Sequence, residues 1–234
     1  EYTYRSINYA NFNSSSVINR FDYYPTIHFS RQFKNDHQLM LSYSKRVNRP
    51  RGYWLDSIPS YIDRQTVRIG NPSLEPEYIS SIEFGYQKGW GKNFLAVEAY
   101  YRNTDNLITR ITDFDENSGL FYRRVENLND DHSLGTEVML NWQFWKWLKM
   151  NGSVNSYFYR INGMIEDQAI DEESWNWDAN LNATLTLTPT TRFQTNLAYR
   201  GPSVTAQGTR EGFAYLNMAL RQDFFSRQLS ATLQ

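Results

Sequence analysis

Residues 177–187, WDANLNATLTL, alternate apolar and polar side chains without a break. Successive side chains of a β-strand point to opposite faces, so this stretch predicts a strand with one apolar and one polar face. The apolar face carries Trp177, Ala179, Leu181, Ala183, Leu185 and Leu187. The polar face carries Asp178, Asn180, Asn182, Thr184 and Thr186.

The same period of two recurs along almost the whole chain, and helical periodicity almost nowhere. Val138, Leu140 and Trp142 oppose Glu137, Met139 and Asn141, for example. Short turns are predicted at 34–36, 89–93, 145–146, 189–190 and 226–228, and longer polar connections at 14–19, 48–76, 105–133, 161–173 and 201–211. Strands of about 10–14 residues joined in this way predict an all-β, up-and-down antiparallel meander of roughly eleven strands, with residues 1–234 as a single segment.

Two architectures fit such a meander. A soluble sandwich buries its apolar faces between two sheets, whereas a transmembrane barrel turns them to lipid and keeps its polar faces inside. The predicted strands are long enough to cross a bilayer at a tilt, which takes about 9–11 residues. Aromatic residues also gather near the short turns, as in the girdle at a membrane interface: Phe33, Trp90, Phe94, Trp142, Phe144, Trp145, Trp147, Phe224 and Phe225. The pattern favours the barrel.

Composition argues against several other classes of protein. The net charge of −1 provides no basic footprint for nucleic acid. The absence of cysteine removes disulfides, thiolate metal sites and cysteine nucleophiles. His28, His37 and His132 are scattered, and the sequence has no phosphate-binding loop, dinucleotide fingerprint or nucleophile elbow. We therefore expect no enzyme activity, no metal site and no cofactor.

The segment GNPSLEPEY, residues 70–78, precedes a clear strand pattern. Its two prolines donate no backbone hydrogen bond and fix an extended chain, and Gly70-Asn71 permits a tight turn. We interpret it as a stiff loop base that sets the register between strands, in which Arg49 and Glu77 can pair across neighbouring strand ends. Direct contact with a ligand is the alternative.

The long connections carry the better candidates for binding, since binding residues concentrate on loops held by a rigid scaffold. Arg49, Arg51, Tyr53 and Trp54 form a basic and aromatic cluster that can clamp an anionic group and stack on a flat ligand. Loop packing is the alternative role for this cluster. Residues 113–119 indicate a hairpin turn inside a long connection. Glu166, Asp167, Asp171, Glu172 and Glu173 match no recognised calcium loop and are expected to form a solvated acidic loop.

Residues 43–86 as a whole resemble the barrel of TonB-dependent outer-membrane receptors, particularly the outer-membrane β-barrel family abundant in Bacteroidetes. The matching pattern is a basic residue, then Arg-Pro, a loop, and GNP-x-L-x-PE opening the next strand. Segments 97–108, 127–159 and 197–225 are similar too, so the resemblance covers nearly the whole chain. The positions that carry it are Arg46, Arg49, Pro50, Asp63, Gly70, Asn71, Pro72, Leu74, Pro76 and Glu77.

The resemblance implies a bacterial outer-membrane transporter that binds a scarce large nutrient (a metal chelate, glycan or peptide) at extracellular loops and imports it with TonB-coupled energy. Barrels of this kind have about 22 strands and a plugged lumen, so the chain is expected to be a fragment without the plug domain and the closing C-terminal strand. The implied partners are the TonB complex through the plug, outer-membrane lipid and a surface lipoprotein. A passive barrel or adhesin, and a soluble carbohydrate-binding β-protein, remain the alternatives.

Overall fold

The computed structural model describes residues 1–9, 14–143, 145–165 and 168–234. Within them the chain is built from β-strands and two short 3-10 turns, at Gly52–Trp54 and Phe225–Arg227. The strands are β1 (Tyr2–Tyr9), β2 (Ser14–Phe21), β3 (Thr26–Gln32), β4 (His37–Asn48), β5 (Ser60–Tyr61), β6 (Thr66–Arg68), β7 (Glu77–Trp90), β8 (Asn93–Asp105), β9 (Ile108–Asp115), β10 (Leu120–Asn127), β11 (Asp130–Trp142), β12 (Leu148–Ile165), β13 (Gln168–Thr188), β14 (Thr191–Arg200), β15 (Ser203–Thr205), β16 (Gly208–Arg210), β17 (Phe213–Phe224) and β18 (Leu229–Leu233).

Ten of these strands form one sheet in the order β18-β17-β14-β13-β12-β11-β8-β7-β4-β3. Every neighbouring pair is antiparallel, and strands pair in the order in which the chain forms them. The predicted antiparallel meander is therefore confirmed, with ten strands in the sheet rather than roughly eleven. Strands β1 and β2 pair with each other as a separate hairpin.

All five predicted short turns are confirmed, and they join consecutive strands at one end of the sheet, the short-turn end. Asn35 and Asp36 reach the left-handed region there with φ of 60° and 58°, and Gly91 does so with φ of 60°. Asparagine, aspartate and glycine tolerate this conformation best, which explains why the chain reverses at these positions.

The opposite end of the sheet, the long-loop end, departs from the prediction in two places. Residues 14–19 lie inside β2, and residues 161–173 are mostly strand because β12 and β13 continue through them as a paired hairpin. Apolar residues there, such as Val17, Ile161 and Met164, do not alternate regularly with polar ones, so the pattern does not distinguish a strand from a loop. Glu166 and Asp167 of this stretch lie outside the described residues.

A four-stranded sheet, β5-β6-β10-β9, stands at the long-loop end and joins two distant connections. Strands β9 and β10 form the predicted hairpin over 113–119, while β10 pairs in parallel with β6, placing Phe121 opposite Thr66. The hydrophobic core lies mainly here. The side chains of Val67, Leu74, Ile111, Val125 and Leu128 are 5% exposed or less.

The two faces of the ten-stranded sheet differ in chemistry along their whole length. One face, the apolar face, exposes Leu134, Val138 and Trp177 with 58%, 38% and 43% of their surface accessible. The other, the polar face, carries a row in register across five strands: Glu98, Glu137, Asn155, Asp178 and Arg200. Such a large exposed apolar surface is unfavourable in water and indicates that the apolar face lies against a nonpolar medium.

Rings border the apolar face at both ends. At the short-turn end the rings of Trp142, Trp145 and Trp147 stack in series, with centroid distances of 6.0 and 5.6 Å. At the long-loop end the ring centroids of Trp177 and Tyr199 lie 4.1 Å apart. Phe144, which was counted with the first cluster, lies outside the described residues. No helix within the described part of the chain has the length and apolar character needed to span a membrane.

Candidate functional site

The GNPSLEPEY segment holds the loop that carries Tyr53 and Trp54. The backbone N–H of Gly70 donates to the carbonyl of Asp56 at 2.8 Å, and that of Asn71 donates to the carbonyl of Trp54 at 2.6 Å. A Cβ at position 70 would lie 2.4 Å from the Asp56 oxygen and 2.6 Å from the Trp54 oxygen. Only glycine allows the backbone at position 70 to approach the backbone of Trp54 and Asp56 so closely, so Gly70 determines the position of Trp54.

The rest of the motif ties neighbouring segments together. The Glu77 carboxylate is 6% exposed and accepts hydrogen bonds from the Asn48 amide and, at 2.6 Å, from the Ile108 backbone N–H. Arg5 of β1 donates to the carbonyls of Pro72 and Leu74 at 3.2 and 2.5 Å, and Leu74 is fully buried. This arrangement supports the interpretation of the motif as a loop base.

The predicted pairing of Arg49 with Glu77 is wrong. Arg49 Nη2 lies 2.6 Å from Glu1 Oε1, on the side of the β1–β2 hairpin. The Glu77 carboxylate instead accepts hydrogen bonds from the Asn48 side chain and from the backbone N–H at the start of β9. A buried carboxylate that accepts two N–H groups is satisfied without an arginine.

A cleft of about 390 Å³ opens between the 3-10 turn and the four-stranded sheet. The Arg51 guanidinium carbon lies 5.4 Å from the Trp54 ring centroid, and that of Arg110 lies 5.7 Å from the same centroid. The Arg68 guanidinium carbon lies 5.3 Å from the Tyr53 ring. These separations allow cation–π attraction and leave the arginines at the cleft surface.

The cleft is strongly positive. Arg68, Arg110, Arg123 and Arg124 line it, and the described residues of its lining include no acidic side chain. Arg124 forms an ion pair with Asp113. Desolvation opposes ionisation of the Tyr53 hydroxyl, but the hydrogen bonds from Arg51 and Trp54 and the charges of Arg51 and Arg110 outweigh it and lower the pKa of Tyr53. Chemically, the cleft favours a ligand that has an anionic group beside a flat surface.

Of the four residues predicted to bind ligand, the structure brings Arg51, Tyr53 and Trp54 together and places Arg49 elsewhere. Sequence reasoning missed Arg68, Arg110 and Arg123. Arg68 and Arg123 are opposite one another in the parallel pair β6–β10, which joins residues more than fifty positions apart. The only available signal was the density of arginine in residues 110–124.

Other polar residues considered from the sequence have local partners. His37 Nδ1 lies 2.8 Å from the Tyr86 hydroxyl, and His132 Nε2 lies 2.8 Å from Asp130 Oδ2. Asp171 forms two hydrogen bonds with Arg160, each of 2.7 Å. Across the residues that the structure describes, no group of three histidines and acids is arranged to hold a metal ion.

The comparisons with known proteins agree with this architecture. The model of the outer membrane protein beta-barrel family matches residues 1–234. The comparison with curated proteins gave no match. Among solved structures, the chain is similar to the siderophore receptor PirA from Pseudomonas aeruginosa, with 12% identity, a TM-score of 0.62, and 90% of this chain matching 37% of that chain.

Two further structures show the same likeness. The copper transporter OprC has 14% identity and a TM-score of 0.63, with 94% of this chain matching 34% of that chain. FpvA of P. aeruginosa, bound to heterologous pyoverdines, has 11% identity and a TM-score of 0.62, with 93% of this chain matching 29% of that chain. The chain thus spans about a third of the length of these structures, of which PirA is described as a receptor and OprC as a transporter.

The predicted fold class and location are confirmed by these findings together with the ten-stranded sheet. The apolar face is the lipid-facing surface of a transmembrane barrel, and the polar face lines its interior. In such barrels the short turns lie on the periplasmic side and the long loops outside the cell. The chain belongs to the outer membrane protein beta-barrel family and forms part of a barrel wall in the bacterial outer membrane.

Proposed function

We propose that residues 1–234 are one barrel segment of a TonB-dependent outer-membrane transporter of the Bacteroidetes type. It binds a scarce large nutrient at its extracellular loops and imports it with TonB-coupled energy. The likeness to receptors and a transporter of similar fold supports the general class. The GNP-x-L-x-PE pattern, whose Gly70, Asn71 and Glu77 form hydrogen bonds with neighbouring segments, supports the finer assignment.

The observation that carries this proposal is the arginine-lined cleft at the long-loop end, built by Arg51, Tyr53 and Trp54 together with Arg68 and Arg110. Its scaffold is rigid because the four-stranded sheet and the Gly70-Asn71 contacts hold both of its walls. A site on an anchored loop pays little ordering entropy on binding. Arg49 supports the site from outside by joining the β1–β2 hairpin to the loop base.

The proposed ligands are a metal chelate, a glycan or a peptide, in each case one with an anionic group near a flat or ring-shaped surface. Arginine fits carboxylate and phosphate groups with two parallel hydrogen bonds, and aromatic rings stack on flat ligands. PirA is described as a siderophore receptor, FpvA as bound to pyoverdines in a complex with iron, and OprC as a copper transporter, which is compatible with a chelate.

The proposed partners follow from the same architecture. Outer-membrane lipid covers the apolar face, and the TonB complex acts through a plug domain in the lumen. The polar face, including Glu83, Glu98, Asn141, Asn180, Asn182, Gln194 and Asn196, would contact that plug. A surface lipoprotein that delivers ligand would bind at the long-loop end.

The proposal is tested by nutrient uptake in the native host. A strain lacking the gene is complemented with the wild-type gene or with the double variant Trp54→Ala/Arg110→Gln, and uptake of iron chelates, glycans and peptides is measured. We expect the deletion to abolish uptake of one class, and the double variant to reduce it at least tenfold at limiting concentration. The matched control is Arg31→Gln on β3, which lies far from the cleft.

Energy coupling is read from a protonophore added during uptake. Energised transport stops, whereas diffusion through a passive barrel continues. Uptake that is insensitive to the protonophore would identify a passive barrel, and a deletion strain that takes up all three nutrient classes normally would overturn the proposed transport.

A further inference from the structure

A second cavity, of about 310 Å³, lies on the polar face inside the barrel, below the long-loop end. We call it the tyrosine cavity. Its walls come from neighbouring strands of the large sheet, and the β15 segment crosses its mouth. Its lining includes Tyr100, Arg102, Tyr157, Asn176 and Val204. It shares no lining residue with the arginine-lined cleft, so it is a separate site.

Gly135 of β11 is the reason why the cavity exists. It lies directly between Tyr100 of β8 and Tyr157 of β12 in the strand register. A Cβ at position 135 would lie 2.7 Å from the Tyr100 hydroxyl oxygen and 2.5 Å from the Tyr157 Cβ. The missing side chain lets the Tyr100 ring lie across the sheet, where its hydroxyl donates to Asn155 Oδ1 at 3.0 Å.

Two N–H donors in the cavity wall have no partner among the described residues. They are Nε of Arg102 and Nδ2 of Asn176, and both atoms are buried. Asn176 as a whole is only 3% exposed. Leaving a buried donor without an acceptor costs about 1–3 kcal/mol, so a wall with two such donors is built to receive an acceptor.

The surrounding hydrogen bonds fix the orientation of the Asn176 amide. The Ser174 hydroxyl donates to Asn176 Oδ1 at 3.0 Å, and it accepts from the Val204 backbone N–H at 3.4 Å. The Asn176 oxygen is thereby occupied. Its nitrogen, not its oxygen, is the atom left for an occupant of the cavity.

Charge selects the kind of acceptor. The Arg102 guanidinium lies over the Tyr100 ring, 5.5 Å from its centroid, and makes no ion pair with any residue that the structure describes. A guanidinium with no carboxylate in ion-pair contact favours an anion over a neutral carbonyl, and the charge of Glu98 acts on it only at longer range. A carboxylate has the two oxygen atoms needed to accept from both Arg102 and Asn176.

We propose that the tyrosine cavity binds a carboxylate group, which accepts hydrogen bonds from Arg102 Nε and Asn176 Nδ2. The carboxylate belongs either to a small free acid in the lumen or to an acidic side chain of a protein segment that lies there. This site is independent of the nutrient site proposed above and does not depend on energised transport.

The first measurement is calorimetric titration of the full-length protein, purified in detergent, with succinate and with its neutral analogue succinamide. If the source is a free acid, succinate binds saturably and succinamide does not. Arg102→Gln and the isosteric Asn176→Asp each then weaken succinate binding at least tenfold. The matched control is Arg192→Gln, an inward-facing arginine near the short-turn end, which leaves binding unchanged. Heat-dependent migration in gels confirms that each variant is folded.

The second measurement identifies a side-chain source. In Arg102→Lys, a carbodiimide couples the new amine to a carboxylate in contact with it, forming an amide while the carbodiimide becomes a urea. Coupling to an acidic residue outside the ten-stranded sheet, found by peptide mass spectrometry, confirms a protein occupant. Coupling only to Glu98 or Asp178, which lie on the polar face outside the cavity wall, overturns the proposal. So does equal binding of succinamide, succinate binding that survives Arg102→Gln, or the absence of both succinate binding and coupling.

Discussion

At the scale of the residue, Gly70 connects the loop-base motif to the candidate site. The sequence predicted a stiff turn at Gly70-Asn71, and the structure shows what the turn holds: the carbonyls of Trp54 and Asp56. The motif thus holds in place the loop that forms one wall of the cleft. Sequence alone did not reveal this, because the two segments lie some fifteen positions apart and meet only through backbone atoms.

Replacing Gly70 with alanine should therefore disturb the cleft. The added Cβ meets three backbone atoms within 2.7 Å, and backbone cannot move aside as a side chain can. Overpacking of this kind costs about 1–3 kcal/mol. We expect amide hydrogen exchange of residues 52–56 to accelerate. Gly52→Ala is the control, since a Cβ there meets no atom within 4 Å. Unchanged exchange in Gly70→Ala would show that the loop is held by other contacts.

At the scale of the element, the β1–β2 hairpin lies against the loop base through few contacts. Arg5 donates to Pro72 and Leu74, and the Arg20 guanidinium lies 4.8 Å from the Tyr78 ring centroid. Hydrogen bonds from a charged donor contribute about 1.5–3 kcal/mol, so Arg5→Met should lower hydrogen-exchange protection of β1 and β2 about tenfold to hundredfold. Arg31→Met serves as the control. Equal protection in both variants would show that the hairpin is held by its own backbone pairing alone.

The β9–β10 hairpin should depend on pH through Asp115. Hydrogen bonds from the Ser118 hydroxyl, at 2.7 Å, and the Asn117 backbone N–H, at 3.0 Å, lower the pKa of Asp115. A lowered pKa means that the stabilisation is present above the unfolded-state pKa and is lost as the pH falls through the folded-state value. Exchange at residues 116–119, corrected for intrinsic rates, should therefore rise in acid. Asp115→Ala should show the raised exchange at every pH, and a wild-type turn that is unchanged in acid would contradict the assignment.

Elements were predictable from the sequence where one face is polar and the other apolar. Strand β11, around residues 138–142, and strand β13, around residues 177–187, follow this rule, and each pairs with β12. The short turns that join such strands were predictable too. The rule failed at the long-loop end, where β12 and β13 continue beyond the regular alternation of polar and apolar residues. It also did not predict the parallel pairing of β6 with β10, which depends on the tertiary arrangement of two loops rather than on local pattern.

At the scale of the whole molecule, the apolar face matches the thickness of a bilayer. Residues 177–187 advance about 3.3 Å each, and a tilt of about 45° turns their length into roughly 23 Å across the membrane. The apolar band of an outer-membrane barrel is about 25 Å tall. The tryptophan stack at Trp142, Trp145 and Trp147 and the Trp177–Tyr199 pair lie at the two borders, where amphipathic rings are favoured.

Neighbouring residues in the middle of this band should therefore respond in opposite ways to a charge. Leu181 points to lipid and Asn180 to the lumen, at nearly the same depth. An arginine facing lipid at the midplane costs about 2–4 kcal/mol, while one facing the aqueous lumen keeps its hydration. Leu181→Arg should lower the free energy of unfolding in lipid vesicles by that amount, and Asn180→Arg should change it by less than about 1 kcal/mol. Equal effects would mean that both faces meet the same medium, and would contradict the assignment of the apolar face to lipid.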